Sequence, residues 1–161
     1  MTQNKKTLQA ALIKQLRTDL QGILTAAQNA HEGATHSDAQ AKSKYDTHGL
    51  ELSYLAGSQY RRARALELQI LGLEREDLPP FAADDAIENG ALVTLENASG
   101  QQLRYLISEL GAGSSLAFEE PVQVISPESS IGQQLSGLSC GDTVEVGAGR
   151  ARERWTIVAL T

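Results

Sequence analysis

The side chains nearest to a metal-binding arrangement are His31 and His36, with Glu32 beside the first, in the run His31-Glu32-Gly33-Ala34-Thr35-His36. A zinc-protease helix carries its two imidazoles four residues apart on one face, with a glutamate between them as base. Here the spacing is five, Gly33 interrupts the run, and His48 is the only other imidazole in the chain. No intrinsic metal site is expected. Five serines, Ser126, Ser129, Ser130, Ser136 and Ser139, supply hydroxyls to the C-terminal half, but no histidine follows His48. That excludes a Ser-His triad within that half. A Gly-rich loop ending in Lys-Ser or Lys-Thr is also missing, so intrinsic ATP chemistry is not expected. Arg61, Arg62 and Arg64 form a basic cluster that reads either as a solvated helix face or as a grip on phosphate or carboxylate. Arg150, Arg152 and Arg154 admit the same two readings.

The elements that hold these residues change character along the chain. Residues 5–31 predict one helix, since Ile13, Leu16, Leu20, Ile23, Ala27 and Ala30 step by three and four, with Leu8, Leu12 and Leu24 widening the stripe. A second seam runs through Leu52, Ala56, Tyr60, Ala63, Leu66, Ile70 and Leu73. Neither helix can bury its stripe alone, so the two should fold back as an antiparallel hairpin across a polar stretch near residues 33–46. At 1.5 Å per residue, a helix of 28 residues would be about 42 Å long, a rod rather than a globule. Pro79-Pro80 ends it. Beyond that point short apolar runs at 91–95, 103–108, 122–125, 143–146 and 154–159 alternate with glycines, and residues 130–138 have room for two helical turns. The predicted class is α+β: a coiled-coil hairpin over 1–78 with its tip near 33–47, a linker over 79–89, and a small antiparallel-sheet domain with one short helix over 90–161.

Composition narrows the partners. The net charge of −6 is uneven: residues 1–80 hold ten Lys/Arg against nine Asp/Glu, and residues 81–161 hold four against eleven. Phosphate contacts need Lys and Arg, so the acidic half fits a basic protein surface, or plain solubility, better than nucleic acid. With one Trp, two Phe and four Tyr, a stacking platform for single strands is not expected. The single Cys140 cannot form an internal disulfide, which fits a reducing, cytoplasmic setting. No apolar run reaches membrane-spanning length, so no membrane partner is expected.

The C-terminal residues carry a resemblance. Gly90-Ala91-Leu92-Val93-Thr94-Leu95 looks like an opening Gly-x-x-Val-x-Val strand, and 102–107 like a following strand that carries a Tyr, here Tyr105. Ser129-Ser130-Ile131-Gly132-Gln133-Gln134-Leu135-Ser136-Gly137, followed by Gly141-Asp142, is similar to the signature Ser-Pro-apolar-Gly-x-x-Leu-x-Gly with Gly-Asp. Ser130 stands where Pro is usual, and a Ser-Pro pair sits earlier at Ser126-Pro127. Together with the hairpin plan, this resembles the Gre family of bacterial transcript-cleavage and elongation factors, whose sheet domain is FKBP-like. The motif's logic is architectural: a Ser hydroxyl caps a helix start, Ile131 and Leu135 pin its apolar face, and Gly137 closes it.

The resemblance implies a transcription elongation factor that is not an enzyme alone. It would bind RNA polymerase through the sheet domain, insert the hairpin into the secondary channel, and lend tip carboxylates to a Mg²⁺ ion at the polymerase's own active site. It implies no intrinsic cofactor, possible contact with nascent RNA, and a monomer. The family's tip pattern is Asp-x-x-Glu; the equivalent positions here fall near Lys42 and Tyr45, so Asp38 and Asp46 stand as the catalytic candidates. Asp46 has a second role available, as N-cap of the second helix. Lys42 and Lys44 oppose metal recruitment but suit a phosphate or a polymerase carboxylate. Lys42, Lys44, Tyr45, Arg61, Arg62, Ser129, Ile131 and Gly132 are the partner-binding candidates. Three alternatives stand beside this reading: a channel-binding regulator without cleavage, a coiled-coil adaptor unrelated to polymerase, and an isomerase-like activity. The last is poorly served by Tyr105, Phe118 and Trp155 as the domain's only aromatics.

Overall fold

A computed structural model describes residues 5–35, 47–118, 120–147 and 149–161. It divides into two compact units, one of residues Ile13–Glu74 and one of Met1–Leu12 with Arg75–Thr161.

The Ile13–Glu74 unit is a helical hairpin, formed by α1 (Lys5–Thr35) from Ile13 onward and by α2 (His48–Arg75) up to Glu74. Two contacts fix its antiparallel sense. Near one end Arg17 pairs with Glu74 at 2.5 Å. Near the other, a Cβ placed on Gly33 would lie 3.1 Å from Leu52 Cδ1. Leu16, Ala27 and Ala30 of α1 and Ala56, Ala63 and Ile70 of α2 are buried. Ala56, Ala63 and Ile70 recur every seven residues, the heptad period of a coiled-coil seam, and small alanines let backbones approach closely. Tyr60 departs from the expected seam: it is 41% exposed. A three-or-four spacing places Tyr60 on the edge of the stripe, and its bulk turns outward next to the alanines that make the contact. At the start of α2 the first helical bond runs from Glu51 N–H to Thr47 C=O at 2.9 Å. Thr47 thus opens the helix, and its hydroxyl donates to Glu51 Oε1 at 3.1 Å; Asp46, the N-cap expected from sequence, lies outside the described residues.

The other unit is built on a six-stranded sheet, in the order β3-β4-β2-β1-β6-β5. Its strands are β1 (Leu92–Asn97), β2 (Gln102–Ile107), β3 (Ser115–Leu116), β4 (Val122–Ile125), β5 (Thr143–Val146) and β6 (Glu153–Leu160), with α3 (Ser130–Leu135) between β4 and β5. The sheet is antiparallel except that β2 and β4 run parallel, with Leu106 beside Val124. The two-residue β3 pairs with β4 and was not expected from sequence. The β1–β6 register shifts between Thr94 and Leu95, which pair with Ala159 and Ile157. Val158 is left in the bulge and is 44% exposed.

One face of this sheet holds a core of Val93, Leu95, Tyr105, Ile107, Val144, Trp155 and Ile157, closed by Ile87 and by Leu135 of α3. Leu92, Leu106 and Val124 are also buried, outside that cluster. The first two turns of α1, up to Leu12, are fastened into this unit. Buried Lys5 donates from Nζ to Pro79 O and to Gly90 O at 2.9 Å, with its ammonium 4.5 Å from the Phe81 ring centroid. Gln9 Nε2 donates to Glu76 O at 2.7 Å, and a Cβ on Gly111 would meet Leu12 Cδ2 at 2.9 Å. The division therefore falls at 12/13 and 74/75, whereas the sequence reading placed it at 78/79. The difference arises because residues 5–12 have their polar and apolar partners in the segment after residue 75.

Candidate functional site

The loop leading into α3 is assembled almost wholly from its own signature residues. The Ser126 hydroxyl accepts from Glu128 N–H at 3.1 Å, opening the turn at Pro127. The Ser129 hydroxyl donates to Ser126 O at 2.6 Å and accepts from Gly132 N–H at 3.1 Å, so it caps α3 from the extended backbone of an N-cap. Gly132 is the tightest position in the loop. A Cβ there would lie 2.2 Å from Ser126 O and 2.8 Å from Pro127 O, both backbone atoms. Leu135 is fully buried and Ile131 packs against the same core half-buried.

Gly137 ends the helix at φ +79°. Its N–H donates to Ile87 O at 3.0 Å, and Ile87 N–H donates to Leu138 O at 2.8 Å. This exchange ties the residues before β1 to the end of α3. Gly141 (φ +96°) makes the following turn, where the Asp142 carboxylate accepts from Ser139 N–H at 2.9 Å. Ser129, Ile131, Gly132, Leu135, Gly137, Gly141 and Asp142 are thus each accounted for by backbone geometry, capping or packing.

Of the partner-binding candidates in this loop, Gly132 is buried, Ser129 is engaged in the cap, and Ile131 is half-buried. The outward side chains beside them are Glu128, Ser130, Gln133 and Gln134. Sequence reasoning named Ser130 only as a hydroxyl and as the residue in place of Pro, and did not single out Glu128, Gln133 or Gln134; the signal for Gln133 and Gln134 was their place between Gly132 and Leu135 on the polar side of a short helix.

On the hairpin, Arg61 and Arg62 are exposed. Arg62 lines a shallow groove with Thr18, Asp19, Ile23, Leu66 and Gln69, floored by Gly22. Arg64 pairs with Glu67 at 3.1 Å. The candidates Asp38, Asp46, Lys42, Lys44 and Tyr45 lie outside the described residues. Among the described residues, no three His, Cys, Asp or Glu side chains are grouped to hold a metal ion, and no helix is long and apolar enough to cross a membrane.

Tyr105 and Trp155 are core residues, and burial raises the Tyr105 hydroxyl above its ordinary pKa. Burial likewise raises the Cys140 thiol, which leaves it less reactive. Arg152 faces Glu145 at 3.8 Å on the β5–β6 hairpin.

Compared with known proteins, residues 82–161 match the family model described as transcription elongation factor, GreA/GreB, C-term. Among solved structures, GreA factor homolog 1 (Gfh1) of Thermus thermophilus is similar at 21% identity, over 92% of this chain and 94% of that one, with a TM-score of 0.40. Thermus aquaticus Gfh1 is similar at 23% identity, over 92% and 90%, with a TM-score of 0.40. The transcription elongation factor GreA/GreB from Nitrosomonas europaea is similar at 18% identity, over 60% and 79%, with a TM-score of 0.40. No curated protein matches the chain significantly.

Proposed function

Because residues 82–161 belong to the GreA/GreB transcription elongation factor family, whose C-terminal domain they form, we propose that this Gre-type chain binds RNA polymerase and acts on transcript elongation. The observation that supports it most directly is the family match of the sheet domain. The loop at 126–137 agrees with it, since all its special residues serve to present one short helix rigidly. A site built this way suits docking and offers no nucleophile or base for chemistry of its own. The hairpin is the element proposed to enter the polymerase secondary channel. Catalysis then belongs to the polymerase and its Mg²⁺, with Asp38 and Asp46 proposed as lent carboxylates. A hairpin that lends none would act in the same channel as a regulator without cleavage.

The test uses purified RNA polymerase stalled in a backtracked complex, with the RNA resolved on a gel. Shortening of the RNA 3′ end on adding the chain supports a cleavage factor, and Asp38→Asn with Asp46→Asn should then abolish the stimulation while leaving binding intact. Co-elution with polymerase and slowed intrinsic cleavage supports a regulator. Neither binding nor any effect on cleavage refutes the polymerase reading.

A further inference from the structure

The hairpin carries an unpartnered apolar stripe. Seven large hydrophobic side chains are exposed among the described residues, and six of them lie on α2: Leu50, Tyr54, Leu55, Tyr60, Leu68 and Leu71. Tyr54 is 70% exposed, Leu50 56% and Leu68 55%. At about 100° per residue, all but Leu55 fall within an arc of roughly 120°, with Tyr60 at the edge next to the seam of Ala56, Ala63 and Ile70 and the other four turned further from it. The five fall into one group at Leu50 and Tyr54 and another at Leu68 and Leu71, with Tyr60 between them, and large apolar side chains left exposed on one side of a helix that has already buried its seam mark an interaction surface.

Gly57, Arg61 and Arg64 also lie in the arc, between the two apolar groups. Arg61 sits midway along the helix between Leu50 and Leu71 and makes no ion pair among the described residues, whereas Arg64 pairs with Glu67. Gly57, a poor helix former inside a 28-residue helix, has no packing reason to be glycine. A Cβ there would meet nothing nearer than Arg61 Nη1, at 3.8 Å. The fold would accept a larger residue, whereas a partner approaching the helix closely would not.

We propose that this outward face of α2, with Leu50, Tyr54, Gly57, Arg61, Leu68 and Leu71, docks an acidic surface with aliphatic pockets on RNA polymerase. The inference rests on the polymerase reading above and deepens it by naming the face and the chemistry of its counterpart. Charge selects the occupant. A second copy packed antiparallel on the same stripe would centre the contact midway between Leu50 and Leu71 and set Arg61 against its own equivalent. Like charges facing each other there oppose self-association. Nucleic acid would reward Arg61 but gains little from leucines at both ends of the stripe. A protein surface that offers a carboxylate to Arg61 and apolar pockets to the flanking anchors satisfies all of them, in the manner of a helix laid in a groove.

The test measures binding of the full-length chain to core RNA polymerase by fluorescence anisotropy. Wild type is compared with Leu68→Ser/Leu71→Ser, Arg61→Glu and Gly57→Gln, with helix content and thermal melting followed by circular dichroism. The first two variants should bind at least tenfold more weakly with unchanged helix content. Gly57→Gln should raise the melting temperature of the hairpin yet weaken binding at least threefold, opposite signs that a structural role would not produce. Wild type that binds, with all three variants within twofold of it, overturns the inference and leaves the polymerase reading standing. Wild type that does not bind overturns both. A dimer dissolved by Leu68→Ser/Leu71→Ser overturns the choice of occupant in favour of a second copy. Loss of binding to a free RNA oligonucleotide in step with loss of polymerase binding overturns it in favour of nucleic acid.

Discussion

Replacing Gly132 by Ala should unfold the sheet unit more readily than any other single methyl addition in the α3 loop. The added Cβ would stand 2.2 Å from Ser126 O and 2.8 Å from Pro127 O, against the 3.4 Å or so of an ordinary contact, so the backbone must move by about an ångström. Ser126 O cannot yield freely, because it also accepts from Ser129 N–H at 3.0 Å and from the Ser129 hydroxyl at 2.6 Å. Overpacking of this sort costs about 1–3 kcal/mol, and loss of the Ser129 cap adds about 1 kcal/mol. The expected destabilisation is roughly 2–4 kcal/mol, which in a unit of about 100 residues lowers Tm by at least about 8 °C. Trp155, the only tryptophan, is buried in the core of this unit at 7% exposure. Its fluorescence during guanidinium unfolding therefore reports on the right unit. The same substitution at Gly22, where a Cβ meets nothing within 4 Å, should instead stabilise the hairpin by about 0.5–1 kcal/mol, read from helix signal. A Gly132→Ala midpoint within about 0.5 kcal/mol of wild type would refute the account of the motif as a backbone close approach.

Two other perturbations test the fastening of each unit. Burial lowers the Lys5 pKa from 10.5 to about 8, so between those values the unfolded chain holds a proton that the folded chain has released. Stability from this group must then rise with pH across that window. Wild type should gain relative to Lys5→Met between pH 8 and pH 10, by denaturant midpoint, and parallel pH curves would contradict the desolvated position of the amine. The Arg17–Glu74 pair has side-chain exposures of 63% and 34%, so Arg17→Ala should cost under about 1 kcal/mol by helix signal. A loss above about 2 kcal/mol would mean the pair organises more of the hairpin than its exposure suggests.

The elements legible in the sequence were those whose signal is local. The heptad steps gave both helices, because an amphipathic stripe is written in spacing alone. Ser129, Gly132, Leu135 and Gly137 announced α3 and its caps because each serves a need of the adjacent backbone. Other features depend on partners far along the chain. The parallel pairing of β2 with β4 was not readable, since a four-residue apolar run such as Val122–Ile125 carries no direction. Nor was β3, two residues long. Lys5 reads as one of two surface lysines beside Lys6, yet its Nζ is bonded to Pro79 O and Gly90 O, and no local pattern reports a partner more than seventy residues away. Tyr60 met the spacing of the seam but lay at its edge, where size decides which way a side chain turns.

The same distinction bears on where specificity resides. In the α3 loop the signature residues are consumed in building the loop: Gly132 by its 2.2 Å approach, Ser129 by its two hydrogen bonds, Leu135 by burial. A recognisable motif of that kind identifies the domain while leaving partner choice to neighbours that the motif does not constrain, such as Ser130, Gln133 and Gln134. On α2 the relation is reversed. Leu50, Tyr54, Leu68 and Leu71 are not required by the seam and remain exposed, and Gly57 forgoes helix stability without steric cause. Residues that the fold does not need, and that cost solubility or helix propensity to keep, are the ones whose types a partner must explain. By that criterion the hairpin's outward face, rather than the family signature, is where the chain's own selectivity for its target is written.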